Sequence, residues 1–117
     1  MMSNEPIDRT FSALASPARR RMLDLVMDNP GMSVKALHGH FPEMSRIAVL
    51  KHVRVLERCD LMLSRKRGRT RHLFFNAIPI QQIYDRWTTK YTAFWSQRLV
   101  DIKERIESLV NRKDESA

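Results

Sequence analysis

From Ile80 to Val110 an apolar residue recurs every three or four positions, and neither glycine nor proline interrupts the run. The stripe is Ile80, Ile83, Tyr84, Trp87, Tyr91, Phe94, Trp95, Leu99, Ile102, Ile106, Leu109 and Val110. This period predicts one long amphipathic helix, or two nearly collinear ones, over 79–111 and about 45 Å in length. Pro79 marks its start, and the polar tail from Arg112 is expected to fray. A core built from the roughly 70 residues before it cannot easily cover such a length. Part of the stripe must meet another apolar surface. The simplest is the same helix of a second copy, in a two-fold dimer centred on the aromatic part from Trp87 to Trp95. A cofactor pocket is the rarer meaning of such a stripe.

A second helix is predicted over Met44–Leu56. Ser45 suits its N-cap, and Met44 and Val49 stand where a hydrophobic staple puts them. Val49, Val53 and Leu56 mark its buried face, with Ala48 and His52 at the edge. Arg46, Ile47, Leu50, Lys51 and Arg54 fall on the other side. Cations interleaved with apolar residues suit a face that meets phosphates and base edges. The preceding chain supplies three more helices. Pro6 opens the first, with Ile7, Phe11, Leu14 and Ala15 on one face. Ser16-Pro17 opens the second, Pro17–Met27, with Met22, Leu23, Val26 and Met27 inward. Asn29-Pro30-Gly31 breaks the chain, and Ser33 caps a short third helix to His40 that buries Val34, Leu37 and Phe41. Two helices joined by a tight turn, the second cationic outside, form a helix-turn-helix.

Charge sharpens this reading. The chain has 117 residues, one domain's length, and a formal net charge of +8. The excess is local. Residues 44–76 carry nine Lys/Arg against two Asp/Glu, whereas residues 77–117 carry seven against six. Such clustering predicts a polyanion-binding surface. Its densest part, Arg65–Arg71, lies in an expected hairpin over 61–76, turned at Gly68, with strands at Leu61–Leu63 and Arg71–Asn76. Arg19, Arg20 and Arg21 open the second helix, where cations oppose the dipole. A solvated basic turn is the commoner meaning of such a run, and the alternative is that an external anion or nearby carboxylates hold them.

The only cysteine, Cys59, excludes an internal disulfide framework. There is no membrane-length apolar run and no signal-peptide apolar region, so a cytoplasmic protein is expected. His38 and His40, at i and i+2, point about 200° apart on a helix and cannot easily chelate one ion. With three glycines and no glycine-rich motif, no catalytic constellation or cofactor site is expected.

The order helix, helix, helix-turn-helix, basic hairpin, long helix resembles the ArsR-type family of winged helix-turn-helix regulators, a mainly α fold with a small β wing. The likeness rests on the runs Ala13–Leu23, Ser33–Leu37 and Met44–Leu61, on Gly68-Arg69 before a strand ending at Asn76, and on the aromatic pattern Trp87–Leu99. It covers about residues 8–110. It implies a dimeric repressor of double-stranded DNA, with Ser45, Arg46, Lys51 and Arg54 facing the major groove and Lys66, Arg67, Arg69 and Arg71 as wing contacts. It also implies a dimer interface from the first and last helices, which adds Phe11 to Tyr84, Trp87, Tyr91, Phe94, Trp95, Leu99 and Ile102. His52 is implied to be structural.

Three residues depart from the family pattern. Leu50 replaces a usual Ser or Thr, Ile47 replaces a small, polar or Pro residue, and Asp60 replaces a usual Gly. Leu50 suits contact with a thymine methyl, or else altered sequence reading. The family's thiol pair falls at Val34 and Ala36, and the long helix has no histidine, so no metal site is expected. Two other functions remain open: a sensor holding an unknown small-molecule effector at the aromatic dimer seam, and a protein-interaction module that has lost operator reading.

Overall fold

A computed structural model describes residues 5–115. Serine hydroxyls open three of its helices. Ser16, Ser33 and Ser45 lie in extended backbone and accept from the amides of Arg19 (3.3 Å), Ala36 (3.0 Å) and Ala48 (3.1 Å). Each such cap contributes about 0.5–2 kcal/mol. The helices they open are α2 (Pro17–Asp28), α3 (Val34–Gly39) and α4 (Arg46–Arg58). Before them stands α1 (Pro6–Leu14); after them come β1 (Met62–Arg67), β2 (Thr70–Phe75) and α5 (Ile78–Glu115). One packed unit runs to Gln82, and α5 from Ile83 onward forms a second.

The core of the first unit gathers the expected seam of α4, Val49, Val53 and Leu56, with Met22, Val26, Leu37, Phe41, Leu61, Met62 and Leu73, all essentially inaccessible. One expectation fails at its edge, and α1 buries residues beside the face that its spacing marks. Met27 is exposed, one position beyond the inward face of α2. In α1 the buried residues are Thr10 and Ala13, while Phe11 is 47% exposed and Ala15 is exposed. Small side chains let α1 approach α2 closely. Thr10 tolerates burial because its hydroxyl donates to the Pro6 carbonyl, at 3.1 Å, one turn back.

The end of α4 is a Schellman turn. The Asp60 amide donates to the Glu57 carbonyl and the Leu61 amide to the Leu56 carbonyl, both at 3.0 Å. Leu56 and Leu61 are both fully buried, as the motif's apolar contact requires. The turn puts Asp60 at φ 60°, a left-handed position where glycine is the usual occupant.

β1 and β2 pair antiparallel from Met62↔Phe75 to Arg67↔Thr70, leaving Gly68-Arg69 as a two-residue loop. β1 therefore begins one residue later than expected and continues through the basic run. Gly68 alone of the pair has positive φ, 61°, the pattern of a type II′ turn. The α2–α3 connection adds a short third edge. The Gly31 amide donates to the Leu73 carbonyl (2.7 Å), the Leu73 amide donates to the Met32 carbonyl (2.9 Å), and Ser33 bridges His72. At the hairpin base Asn76 ties two elements, donating through Nδ2 to the Asp60 carbonyl (2.7 Å) and accepting from the Ile78 amide (3.2 Å).

α5 is a single helix of 38 residues, about 57 Å at 1.5 Å per residue. It runs past the expected end near 111, because nothing after Arg112 breaks a helix. From Tyr84 to Val110 the residues of the stripe are between 45% and 63% exposed. Tyr91 and Phe94 meet Trp95 edge to face, with ring centroids 6.0 and 5.7 Å away.

The strain at Asp60 gives a prediction. Asp60→Gly keeps both backbone hydrogen bonds and removes a left-handed penalty of about 1–2 kcal/mol, offset partly by unfolded-state entropy. A gain of about 0.5–1 kcal/mol is expected, read as a higher urea midpoint with unchanged slope. A lower midpoint would show that the Asp60 side chain stabilises the turn.

Candidate nucleic-acid interface

The turn between α3 and α4 is fixed by hydrogen bonds. The Phe41 amide donates to the His38 carbonyl (2.9 Å) and the Met44 amide to the Phe41 carbonyl (3.0 Å). His38 Nε2 donates to the Met44 carbonyl at 2.9 Å, so this imidazole braces the turn. His40 is the C-cap of α3. Among the described residues, no three His, Cys, Asp or Glu side chains come together as metal ligands do.

With its seam buried, α4 turns Arg46, Ile47, Lys51 and Arg54 outward. Ile47 is 68% exposed. Leu50 is half-buried, with part of its side chain packed on the core. Ser45 is committed to its cap. Arg46, Leu50 and Arg54, four residues apart, form one wall of a concave basin of about 460 Å³. Lys66, Arg69, Thr70 and Arg71 of the hairpin form another, and Ser33, Val34 and Lys35 of α3 and its cap complete it. The structure thus joins helix and hairpin cations across one hollow that no acidic side chain lines. Lys35 is an addition that the sequence reading missed. Its place beside the capped start of α3 was the available signal.

Two predicted wing residues behave differently from the rest. Arg71 reaches the basin but lies 3.6 Å from Glu57 of α4, whose Oε1 is buried and has no hydrogen bond. This ion pair ties the hairpin to α4 and draws Arg71 partly inward. Arg67 lines a different hollow, on the opposite side of the hairpin from Lys66 and Arg71, because neighbouring strand residues face opposite ways. Lys51 is exposed on α4, outside the lining of the basin.

The three arginines of α2 meet backbone carbonyls and an aromatic ring of the described residues. Arg19 donates through Nε to the Ala13 carbonyl (2.8 Å) and through Nη2 to the Ser12 carbonyl (3.1 Å). Arg20 donates to the Leu14 carbonyl at 2.6 Å. Both cap the C-terminus of α1, where the helix dipole favours cations. The Arg21 guanidinium lies 5.1 Å from the ring centroid of Phe41. Arg19 also donates through Nη1 to His52 Nδ1, at 3.3 Å, linking α2 to α4. Burial, and then the Arg19 charge, hold the His52 pKa below the usual histidine value. Burial pushes the Cys59 thiol up, and its S–H points to the Val55 and Leu56 carbonyls (3.5 and 3.4 Å), an unreactive arrangement.

No protein-family model matches the chain. It is 28% identical over 85 residues to an uncharacterised HTH-type transcriptional regulator of Bacillus subtilis, covering 68% of this chain and 92% of that protein. A solved structure described as a possible transcriptional regulator for arsenical resistance is 33% identical, with a TM-score of 0.57 and coverage of 76% of this chain and 90% of the other. An ArsR-like transcriptional regulator from a Rhodococcus species is 27% identical, with a TM-score of 0.63 and coverage of 85% and 91%.

Arg19 is expected to be a stability residue. Arg19→Ala should cost about 1–3 kcal/mol, because charged hydrogen bonds to the α1 carbonyls are lost. Thermal or urea unfolding reads the loss, and an unchanged midpoint would show that water replaces those bonds freely. The low His52 pKa has a defined sign. The unfolded chain binds this proton more readily than the folded one, so stability rises with pH. The contribution is present above the unfolded value of about 6.5 and is lost as pH falls through the lower folded value. The urea midpoint should drop between pH 7.5 and 5.5, and His52→Gln should flatten that slope.

Proposed function

The chain belongs to the ArsR-type family of winged helix-turn-helix transcriptional regulators, and from that premise we propose that it is a homodimeric repressor of specific duplex DNA. In this reading α4 enters the major groove. Arg46, Ile47, Leu50, Lys51 and Arg54 meet base edges and phosphates there, with Ser45 at the groove's rim. Lys66, Arg69 and Arg71 reach the flanking backbone, with Lys35 beside them and Arg67 at the outer side of the wing. The basin carries the proposal. Lys35, Arg46, Arg54, Lys66 and Arg69, beside an Arg71 already paired with Glu57, crowd one hollow with no acid in its lining, and a phosphate backbone relieves that repulsion while releasing its own counterions. Leu50 and Ile47 offer the apolar contact that reads a thymine methyl.

The exposed stripe of α5 supports the second half of the proposal. Tyr84, Trp87, Tyr91, Phe94, Trp95, Leu99 and Ile102 are assigned to the seam with a second copy, and Phe11 of α1 to the same partner. Burying so continuous an apolar surface is what a stable homodimer interface requires. Two copies then present two α4 helices to half-sites about 34–36 Å apart. The output is occupancy of an operator rather than catalysis. The assigned place of action is the cytoplasm, and no described helix is long and apolar enough to cross a membrane.

Fluorescence anisotropy on duplex DNA from upstream of the protein's own coding region, with random duplex as competitor, tests the whole reading. Binding should weaken steeply with salt and resist the competitor; equal competition by random DNA would remove sequence specificity. Arg54→Ala should relax base preference by about 1–3 kcal/mol at its position, while Arg69→Ala should weaken all sequences alike. The reverse pattern would exchange their roles. Leu99→Asp should yield a monomer by sedimentation, together with weaker operator binding; a persistent dimer would place the seam elsewhere.

A further inference from the structure

The hairpin has a second face, turned away from the basin, which shares only Arg67 with the proposed DNA contacts. In the β1–β2 register, Leu63 stands opposite Phe74, Arg65 opposite His72, and Arg67 opposite Thr70. These three rungs share one side, away from buried Met62 and Leu73. The first rung is apolar and open, with Leu63 50% and Phe74 36% exposed. The next two carry guanidinium groups. Apart from Thr70, which borders the basin, the residues of these rungs line, with Ser64, Pro30 and Gly31, a hollow of about 650 Å³ that contains no acidic side chain. Its rear wall is pinned. The Gly31 amide donates to the Leu73 carbonyl, and His72 Nδ1 donates to the Gly31 carbonyl at 2.8 Å.

We propose that this hollow binds a small organic anion with an apolar body, its carboxylate or phosphate held by Arg65 and Arg67 and its ring or short chain laid on the Leu63–Phe74 rung. Charge complementarity and apolar area point to the same occupant. Inorganic phosphate would satisfy the arginines but leave Leu63 and Phe74 wet. A neutral apolar molecule would cover the rung and leave two cations crowded on one strand. A DNA duplex would also bring phosphates, but a hydrated phosphate backbone offers the apolar rung little apolar surface to bury against. The volume is within the range of small-molecule sites. The same two strands carry Lys66 and Arg71 toward the basin, so occupancy of one face bears on the other. Only this last consequence rests on the DNA-binding reading.

Amide NMR on the full chain tests the site with three probes: 1-naphthoate, 1-naphthalenemethanol and inorganic phosphate. Naphthoate should shift the Gly31, Leu63, Arg65 and Phe74 signals saturably, at least tenfold more tightly than either control. Leu63→Ser and Arg65→Ala, both at exposed positions, should each weaken it at least fivefold while the spectrum stays folded; Arg67→Ala provides a further check on the anion end. Equal binding of the alcohol, equal binding of phosphate, or shifts confined to the α5 stripe would overturn the proposal. So would a duplex that displaces naphthoate and itself perturbs Leu63 and Phe74, which would reassign the face to DNA. A chain that ignores duplex DNA yet binds naphthoate as described would refute the repressor reading alone.

Discussion

Val49, Val53 and Leu56 decide which way α4 faces. Their seam packs against Met22, Val26 and Leu37 from the two preceding helices, Phe41 from the turn before α4, Leu61 from its exit, and Met62 and Leu73 from the hairpin. Once that seam is buried, helical geometry leaves Arg46, Ile47, Lys51 and Arg54 no inward option. The helix is also pinned at both ends. Ser45 holds its first turn, and the Schellman turn at Asp60 sends the chain straight into β1. The hairpin therefore begins at a fixed point relative to α4, and Asn76 and the Glu57–Arg71 pair hold it there. A basin with helix cations on one wall and hairpin cations on another is the geometric result.

Placing so much positive charge on one side has an electrostatic cost, and the fold contains it in two ways. Some arginines are taken out of the repulsion by local partners. Arg19 and Arg20 complete the open carbonyls of α1, Arg21 sits over Phe41, and Arg71 shares the buried carboxylate of Glu57. The remainder stays around the basin, and the proposed DNA contact would neutralise it and make affinity depend on salt. Arg19 does two tasks at once. Its hydrogen bond to His52 requires a neutral imidazole, so the contact between α2 and the recognition helix is sensitive to acid.

The hairpin shows how one short element serves two chemistries. Alternation along β1 sends Met62, Ser64 and Lys66 one way and Leu63, Arg65 and Arg67 the other. The first set runs from core to basin. The second sets an apolar rung beside two guanidinium groups on a surface braced by Gly31 and His72. The basic run that reads as one patch in the sequence is therefore split into two patches of different character. One is mostly cationic and shared with α3 and α4, and the other is amphipathic and shared with the α2–α3 connection.

The sequence determined what depends on neighbours within a turn or two. Serine caps, the break at Asn29-Pro30-Gly31, the α4 seam, the loop at Gly68 and the unbroken stripe of α5 were all legible, because period and turn chemistry are local properties. The tertiary structure alone decided what depends on distant segments. The carbonyls that hold Arg19 and Arg20 belong to another helix, and the buried face of α1 was set by how closely it could approach α2. The join of Lys35 with Arg54 and Arg69, the withdrawal of Arg71 by Glu57 and the turning of Arg67 to the far side depended on packing and strand register. The glycine-like backbone at Asp60 followed from the exit of α4 toward the hairpin. Hydrophobic spacing says which side of a segment is buried; only packing says which charges then come to face each other.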